Sequence, residues 1–510
     1  MDRHLTIYLT SDTHGYLFPT DYASTGDAPQ GLLKIIEAFT PGPNTLVMDA
    51  GDTLQGSPFT LFLQGQATPC AGPHPVASVL NLGGYQYITL GNHDFNYGVA
   101  YLANYLNSLN ARCLCANIRA LDGSLPVQAS AIATLENGLR VGIVGVCTDH
   151  VRVWEKPQTT AELIITDPFE AARAELELLR GKTDLNICLY HGGYEIDLQT
   201  GLPLTASTEN VAGRISHELD FDLLLTGHQH MPLAGVSFGG THGVQPPANA
   251  VGFCKVEITV TAGGQKHFES EILPPAATPH AQGYAELLPL EQQVQTWLDR
   301  PIGTLSRALP CEDRLDMALH GSLIANFINQ VQLQATGAQI SAVGLANSIK
   351  GFSQQATVRD VVATYVFANT LSVLEISGAV LRQYVERCAE YFTLGEGGTP
   401  TISDEFSKPK LAHYNYDFFS GIHYTIDLNK PVGERVVSLT FAGEEVQASQ
   451  SYTVCMNNYR TTGTGGFEFL TACPKVREFG TEVSELLIAY IEEASTTIPV
   501  DETQYLTVLY

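Results

Sequence analysis

The feature that most constrains this chain is a repeated pairing of an apolar, β-branched run with a short polar block. The runs are residues 5–10, 45–48, 87–90, 186–190 and 223–226. The blocks that follow them are residues 12–14, 51–52, 91–94, 191–193 and 227–230. Such runs are typical of buried strands, and α/β enzymes place their chemistry at the carboxyl ends of strands. The pattern therefore predicts a layered α/β fold with five polar groups at one edge.

The polar blocks contain the donor types that divalent metals bind. Carboxylate oxygen, amide oxygen and imidazole nitrogen all suit hard and borderline cations. Two such cations a few ångströms apart form the usual clamp on an in-line phosphoryl displacement. An isolated Asp-x-His is usually a polar strand end, and an isolated Gly-Asn-His is usually a turn. The whole set favours a two-metal phosphoesterase centre over a series of unrelated structural features.

The order of the blocks resembles that of the calcineurin-like metallophosphatases: Asp-x-His, Gly-Asp, Gly-Asn-His-Asp, a distant His, and Gly-His-x-His. The resemblance implies a four-layer β-sandwich flanked by helices. It also implies that Asp52 bridges two metals, a position that requires a forked carboxylate. The remaining implied ligands are Asp12, His14 and His230 for one metal and Asn92, His191 and His228 for the other.

His93 follows the implied ligand Asn92, and the resemblance implies that it points toward the scissile phosphate. It would stabilise the developing charge or protonate the leaving oxygen, tasks for which histidine has a suitable pKa. For Asp94 we expect a structural or supporting role, because adjacent residues of an extended strand point to opposite faces.

The chain of 510 residues is longer than one hydrophobic core normally supports, so at least two domains are expected. Strands alternate with helical stretches in residues 1–273, which predicts the layered α/β domain. A Pro- and Ala-rich tract and a helix from 286 to 299 predict a linker and connecting helix over residues 274–300. A second α/β domain is predicted for residues 301–510.

The second half resembles the C-terminal, nucleoside-binding domain of the 5'-nucleotidase family in residues 414–427 and 456–467. By position in those segments, Tyr416 and Tyr459 would sandwich the base of the substrate. Stacking suits an enzyme that must accept any base, because every base has a π-face. The alternative is that both tyrosines belong to the core.

Local sequence within that family is most similar to the 2',3'-cyclic-nucleotide 2'-phosphodiesterase/3'-nucleotidase branch, in residues 91–98, 357–360, 369–371 and 457–460. The pure 5'-nucleotidases usually carry Asp where Asn96 stands, and it pairs with the histidine. They also usually read Asn-Gly-Gly-x-Ile-Arg where this chain has Leu345-Ala-Asn-Ser-Ile-Lys350. Lys350 keeps the charge of the arginine but lacks the guanidinium fork. Lys350 and Arg359 are candidate substrate contacts, with a structural role as the alternative for Arg359.

The predicted function is hydrolysis of nucleotide phosphate esters by a metal-dependent enzyme, of the cyclic-phosphodiesterase/3'-nucleotidase kind. Three alternatives remain open: a 5'-nucleotidase, a metallophosphoesterase with a non-nucleotide substrate, and a non-catalytic nucleotide-binding protein. Mn, Zn, Fe and Co all suit the ligand set as the two divalent ions. The oligomeric state is not indicated by the sequence.

Net charge indicates which partners to expect, and targeting and cysteine patterns indicate the compartment. A formal net charge of −26 disfavours polymeric nucleic acid, so a small nucleotide is the expected partner. The chain begins without a signal-peptide pattern and lacks a long apolar span, so no membrane association is expected. Ten dispersed cysteines favour thiols in a reducing compartment. We expect a cytoplasmic protein, with export as the alternative if a leader has been removed.

Overall fold

The computed structural model describes residues 1–24, 26–65, 72–198, 201–202, 208–367 and 369–510. Within these residues the chain forms two compact units, Met1–Gln295 and Thr296–Tyr510. Each unit has its own sheets and helices.

The N-terminal unit is built on two mixed sheets whose central strands are parallel. Among the described residues, the first sheet has seven strands, in spatial order Lys266–Leu273, Phe253–Val260, Arg3–Thr10, Thr45–Asp49, Tyr87–Ile88, Arg112–Leu114 and Val127–Gln128. The second has six, in the order Leu233–Phe238, Thr241–Gln245, Leu223–Thr226, Leu185–His191, Arg140–Cys147 and Ser130–Thr134. A two-stranded pair joins Ile118–Ala120 to Leu163–Ile165.

The two sheets pack face to face through fully buried aliphatic side chains such as Ile7, Ile143 and Ile187. Burying these side chains removes apolar surface from water and supplies the main driving force for the sandwich. Helices cover both outer faces: Phe169 packs in the cluster over the second sheet, and Tyr8 of the first sheet stacks on Phe39 at 4.8 Å. The predicted four-layer sandwich flanked by helices is confirmed.

Helices alternate with the strands of the N-terminal unit, as in Leu32–Ala38 and Pro168–Leu179. The second of these begins at Pro168, behind an N-cap carboxylate of Asp167 that accepts the backbone N–H of Glu170 at 3.0 Å. The α-helices are Leu32–Ala38, Pro58–Gln64, Pro75–Leu82, Val99–Ser108, Val151–Trp154, Pro157–Thr160, Pro168–Leu179 and Ala212–Glu218, with a 3₁₀ turn at Asn92–Phe95.

The segment predicted as linker and connecting helix contains the helix Ala281–Leu298, which begins five residues before the predicted start at 286. The backbone before it is tied to the first unit: Ala276 N–H donates to Lys34 O at 3.0 Å, and His280 N–H donates to Leu33 O at 2.9 Å. The division between the compact units falls after Gln295, inside this helix. Most of the segment therefore folds with the N-terminal unit.

The C-terminal unit contains a five-stranded sheet in the order Asp417–Ser420, Ile340–Gly344, Ser451–Asn457, Thr370–Ser377 and Lys475–Glu482. A four-stranded sheet follows the order Glu444–Glu445, Val436–Phe441, Ile422–Asp427 and Leu506–Leu509. Short pairs join Pro301–Thr304 to Gln355–Thr357, Leu309–Pro310 to Gly351–Phe352, and Phe392–Leu394 to Pro400–Ile402. The α-helices are Arg314–His320, Leu323–Thr336, Val358–Thr364, Gly378–Ala389, Asp404–Ser407 and Val483–Glu493. The 3₁₀ turns are Glu396–Gly398, His413–Asn415, Arg460–Thr462 and Glu468–Leu470.

Strand register brings the polar blocks to one edge of the N-terminal unit. In the first sheet Thr10 pairs with Asp49, which pairs in turn with Ile88, so three strands end in line. In the second sheet Tyr190 pairs with Thr226, so the last two blocks also begin side by side. All five runs form the predicted strands, although the third strand stops at Ile88, two residues before its run ends.

No helix among the described residues combines the length and apolar character needed to cross a membrane. The nine described cysteines are free thiols, and seven of them are buried. Cys70 lies outside the described residues.

Candidate two-metal centre

Seven predicted metal ligands come together at the strand edge. Asp12, His14 and His230 form one group, and Asp52, His191 and His228 form another, with the candidate ligand atoms of each group within 4.8 Å of one another. Asn92 joins the second group through Oδ1, which lies 3.1 Å from His191 Nε2. The backbone N–H of His228 donates to both carboxylate oxygens of Asp12 at 3.0 Å, so the groups adjoin.

Distances within each group indicate that donor atoms converge on common points. His14 Nε2 lies 3.0 Å from His230 Nε2, which is 3.4 Å from Asp12 Oδ1. In the second group, His191 Nε2 is 3.2 Å from Asp52 Oδ2. Imidazole nitrogens and carboxylate oxygens that converge in this way offer a divalent cation the ligands it prefers.

Hydrogen bonds on the far side of three imidazoles direct the correct ring nitrogen inward. His14 Nδ1–H donates to Gln55 O, and His191 Nδ1–H donates to Ala50 O, each at 2.7 Å. Both bonds leave the Nε2 lone pair facing the centre. His228 reverses the arrangement, since its Nε2–H donates to Glu209 Oε1 at 2.8 Å and leaves Nδ1 as the ligand atom. Metal-bound histidines are usually held by such partners.

Asp52 carries a buried carboxylate oxygen that needs a cation. Its Oδ1 accepts the backbone N–H of His93 at 2.7 Å, whereas Oδ2 accepts no well-aligned hydrogen bond and only faces His191. Burial opposes ionisation, but the nearby His191 and His93 hold the pKa of Asp52 well below its usual range. An ionised, unsatisfied oxygen in the interior is costly unless a cation compensates it. The residues present therefore fit a pair of bridged divalent ions.

Five of the candidate ligands have a backbone conformation that L-residues rarely adopt. Their φ angles lie between 49° and 72°, at Asp12, His14, Asp52, His228 and His230. Non-glycine residues in this region cost free energy and cluster at functional sites. Close packing adds to the constraint at Gly91, where a Cβ would lie 2.2 Å from Asp52 Oδ1. The ligand positions are thus fixed by the fold.

Burial and neighbouring charge shift the pKa values of two imidazoles in opposite directions. Burial lowers the pKa of His14 to about 4, with a further decrease from His230. Burial also acts to lower the pKa of His191, but the Asp52 carboxylate outweighs it and raises the value to about 10. Because a metal-bound imidazole must be neutral, binding of a cation at His191 would displace the proton that the Asp52 carboxylate stabilises.

Asp94 supports the loops rather than the reaction. Its carboxylate accepts backbone N–H groups from Gly91, Asp52, Thr53 and Leu54 at 2.8–3.1 Å. These bonds clamp the block at 51–52 against the block at 91–94. The contacts agree with the structural role expected for Asp94.

His93 lies beside the first ligand group, with its ring centroid 5.4 Å from that of His14. Its Nδ1–H donates to Asn96 Oδ1 at 2.8 Å, and Asn96 Nδ2–H donates to Glu155 Oε1 in a short hydrogen bond. Burial raises the pKa of Glu155 to about 7, although His93 and Asn96 act to lower it. The catalytic role of His93 stays a prediction.

Sequence reasoning missed Glu155 and Glu209, each of which bonds a residue of the centre from a distant part of the chain. Glu155 is 59 residues from Asn96, and Glu209 is 19 residues from His228. Neither stands at a fixed spacing in a motif, so the linear pattern contained no signal for them.

Tyr416 is a core residue, and its predicted role as a base-stacking residue is wrong. Its side chain is 2% exposed and its hydroxyl donates to Ala318 O at 3.1 Å. The rings of Tyr391 and Phe418 pack against it with centroids 4.9 and 5.0 Å away. No face of the ring is left for a base.

Tyr459 is half-buried and precedes the short turn Arg460–Thr462, so its predicted role in base binding stays a prediction. Tyr414 is also half-buried, and its carbonyl oxygen accepts Arg460 Nη2–H at 2.9 Å. The two segments that carry the family resemblance are therefore adjacent. Tyr414 differs from Tyr416 because it lies in the turn His413–Asn415, ahead of the buried strand.

The predicted substrate contact at Arg359 is wrong. This side chain is buried, with the residue 2% exposed, and its Nε–H donates to Asp299 Oδ1 at 2.7 Å. Lys350 Nζ lies 3.1 Å from Asp360 Oδ1, a buried carboxylate, while its side chain is 35% exposed. Lys350 thus neutralises Asp360, and its contact with phosphate stays a prediction.

A two-sheet sandwich with a cluster of carboxylate, amide and imidazole ligands at its strand edge defines a metallophosphoesterase. Residues 5–232 match the calcineurin-like phosphoesterase family, and residues 301–472 match the 5'-nucleotidase C-terminal domain. The chain belongs to the 5'-nucleotidase family of calcineurin-like phosphoesterases. The predictions of family, two-domain fold and metal-dependent hydrolysis of nucleotide phosphate esters are confirmed.

Individual relatives agree in fold and differ in described specificity. A candidate 5'-nucleotidase from Staphylococcus aureus, solved in complex with alpha-ketoglutarate, is 31% identical with a TM-score of 0.89, and the match covers 100% of both chains. The 2',3'-cyclic-nucleotide 2'-phosphodiesterase/3'-nucleotidase of Haemophilus influenzae is 23% identical over 97% of this chain and 85% of the relative. The trifunctional nucleotide phosphoesterase YfkN of Bacillus subtilis is 24% identical over 97% of this chain, which spans 38% of that longer protein.

Proposed function

We propose that this protein hydrolyses 2',3'-cyclic nucleotides and 3'-nucleotides at a centre of two divalent metals. The observation that carries the proposal is the convergence of seven ligand groups around the unsatisfied oxygen of Asp52. The choice of substrate rests on relatives named for that activity and on Asn96, where pure 5'-nucleotidases usually carry Asp. Mn, Zn, Fe and Co all suit the ligand set.

The bound cations would neutralise phosphate charge and lower the pKa of water toward neutrality, which supplies a nucleophile. The protein contributes the positioning. Asp52 would hold both ions, and the hydrogen bonds from His14 and His191 to backbone carbonyls would fix their rings. His93, whose Nδ1–H is bonded to Asn96, turns Nε2 toward the substrate; once Nε2 has also taken up a proton, it would stabilise charge or protonate the leaving oxygen.

For the nucleoside part of the substrate we propose Tyr459 and Tyr414 as the base-binding residues. Tyr414 takes the place of the buried Tyr416, because it is half-buried and its backbone bonds Arg460, the residue after Tyr459. Stacking on tyrosine would accept every base at a similar strength. Lys350 is proposed as a phosphate contact, since it retains a partly exposed ammonium group.

A small nucleotide is the proposed partner, and a net charge of −26 argues against polymeric nucleic acid. The proposed compartment is the cytoplasm, with export after removal of a leader as the alternative. Its support is the set of nine free thiols among the described residues. Cell fractionation with antibody detection tests this assignment, and a periplasmic or secreted signal would contradict it.

The proposal is tested with a panel of 5'-, 3'- and 2',3'-cyclic nucleotides on protein reconstituted with each metal. We expect the highest kcat/KM for the cyclic and 3' substrates, with two metal ions per chain. A clear preference for 5'-nucleotides would instead support a 5'-nucleotidase, the description given for the Staphylococcus aureus relative. Turnover of p-nitrophenyl phosphate without any nucleotide would indicate a different ester. Nucleotide binding without turnover would indicate a non-catalytic binding protein.

A further inference from the structure

The buried carboxylate of Glu155 is linked to His93 through one intervening residue, Asn96. Glu155 is 9% exposed and follows the short helix Val151–Trp154. Its Oε1 accepts Asn96 Nδ2–H, while Asn96 Oδ1 accepts His93 Nδ1–H at 2.8 Å. The amide of Asn96 is its side-chain hydrogen-bond partner, and the charge of His93 and the charge and backbone of Lys156 also favour the ionised carboxylate.

We propose that Glu155 is a positioning residue that acts through Asn96 to fix the tautomer and orientation of His93. A carboxylate at position 96 would accept the Nδ1–H of His93 directly, whereas Glu155 orients His93 through the side-chain amide of Asn96. The inference rests on the proposed function, because that function assigns His93 to the reaction.

The reason lies in the two ends of an asparagine amide, which have nearly the same shape but opposite hydrogen-bonding character. An ionised carboxylate only accepts, so Glu155 can bond only the NH₂ end of Asn96. The carbonyl end must then face His93, which is held with its proton on Nδ1. This arrangement keeps Nε2 as the ring nitrogen that faces the substrate, takes up a proton and passes it to the leaving oxygen. The charge of Glu155 also strengthens the bond, since charge-assisted hydrogen bonds are roughly twice as strong as neutral ones.

Glutamine at position 155 would not impose the same order. Its amide both donates and accepts, so it can bond Asn96 in either orientation. A flipped Asn96 would present NH₂ to His93 and favour the opposite tautomer, in which Nδ1 has no proton. The predicted consequence of Glu155→Gln is therefore a mixture of His93 tautomers with no loss of metal.

The kinetic test compares Glu155→Gln with the control Glu162→Gln, which removes the same charge from an exposed residue. Above pH 7, where Glu155 is ionised, we expect Glu155→Gln to lower kcat for cyclic and 3' substrates about 10- to 100-fold, part of the roughly 10²–10⁴-fold that a positioned general acid contributes. KM and metal content should not change. In an Asn96→Asp background the same substitution should cost nothing or raise kcat, because the introduced carboxylate would accept from His93 directly and would no longer face a second carboxylate.

A second readout does not depend on turnover. In the zinc-loaded protein at alkaline pH, ¹⁵N NMR of the histidine side chains should show one tautomer for His93, with the proton on Nδ1. Glu155→Gln should show both tautomers, and the Asn96→Asp/Glu155→Gln double variant should return to one. An inactive wild type with this tautomer pattern would refute the proposed function and leave the positioning role standing.

If Glu155→Gln lowered kcat equally in the wild-type and Asn96→Asp backgrounds, the proposal would be overturned, because Glu155 would then act independently of Asn96. Loss of bound metal in the single variant would overturn it as well. So would unchanged kcat together with an unchanged tautomer of His93.

Discussion

Replacing Asp52 by Asn tests the two-metal centre most directly. The Asn side chain can keep the Oδ1 bond to His93 N–H, now 2.7 Å, so the loop should fold. At the Oδ2 position it places an NH₂ group 3.2 Å from His191 Nε2, where the wild type has a buried, unsatisfied oxygen. A neutral amide offers no second anionic oxygen, so neither ion retains its shared ligand. Loss of a hydrogen bond to a metal ligand typically costs 10- to 100-fold in affinity or activity, so loss of a bridging ligand should exceed about 100-fold.

We therefore expect Asp52→Asn to lose at least one of two metal ions per chain and to lower kcat/KM by more than about 100-fold. Inductively coupled plasma mass spectrometry after gel filtration measures the metal, and p-nitrophenyl phosphate hydrolysis measures turnover. Asp220→Asn, an exposed substitution that removes the same charge, is the matched control. Full metal content and wild-type turnover in Asp52→Asn would refute the bridging assignment.

Four further outcomes are expected. His93→Asn should lower kcat by roughly 10²–10⁴ with both metals retained, and loss of metal would make His93 a ligand instead. Tyr459→Ala should lower kcat/KM for nucleotides by roughly 5- to 150-fold but leave p-nitrophenyl phosphate unchanged, and Tyr414→Ala should do the same; equal losses on both substrates would make the rings structural. Tyr416→Ala should lower the free energy of unfolding by about 3–5 kcal/mol in urea titrations, and a stability equal to wild type would contradict its core assignment. Burial raises the pKa of Asp49 from 3.8 to about 7, so the free energy of unfolding of the protein should fall by up to about 4 kcal/mol as pH rises from about 4 to 7. Asp49→Asn should remove this contribution to the pH dependence, and parallel plots of unfolding free energy against pH for the two proteins would refute it.

Sequence patterns predicted the N-terminal unit well, because strand periodicity and ligand chemistry are both local. Residues 5–10 form an apolar, β-branched run of the kind that a strand buries on both faces, and Asp12 and His14 follow where that strand ends. The C-terminal prediction failed where position alone had to separate a buried core ring from a half-buried one. Tyr414 and Tyr416 are two residues apart, and only the turn at His413–Asn415 places them differently.

Contacts between segments far apart in the chain could not be predicted from the sequence, for a different reason. The bonds from Asn96 to Glu155 and from His228 to Glu209 depend on how loops close over the strand edge. A glutamate is common on any acidic chain, and this one has 53 acidic residues, so composition could not single out either partner. Arg359 shows the converse, since a charged residue in a plausible motif is buried against Asp299.

The left-handed backbone at five ligand positions determines how alanine variants of this site should be interpreted. Asp, Asn and His tolerate positive φ better than most residues, whereas alanine there costs roughly 1–2 kcal/mol. An alanine substituted for Asp12, with φ 53°, or for His228, with φ 72°, would remove a donor and also destabilise its loop. Metal affinities from an alanine scan would therefore combine coordination with folding. Exchanges among Asp, Asn and His keep the backbone preference nearly constant, and they isolate the coordination chemistry.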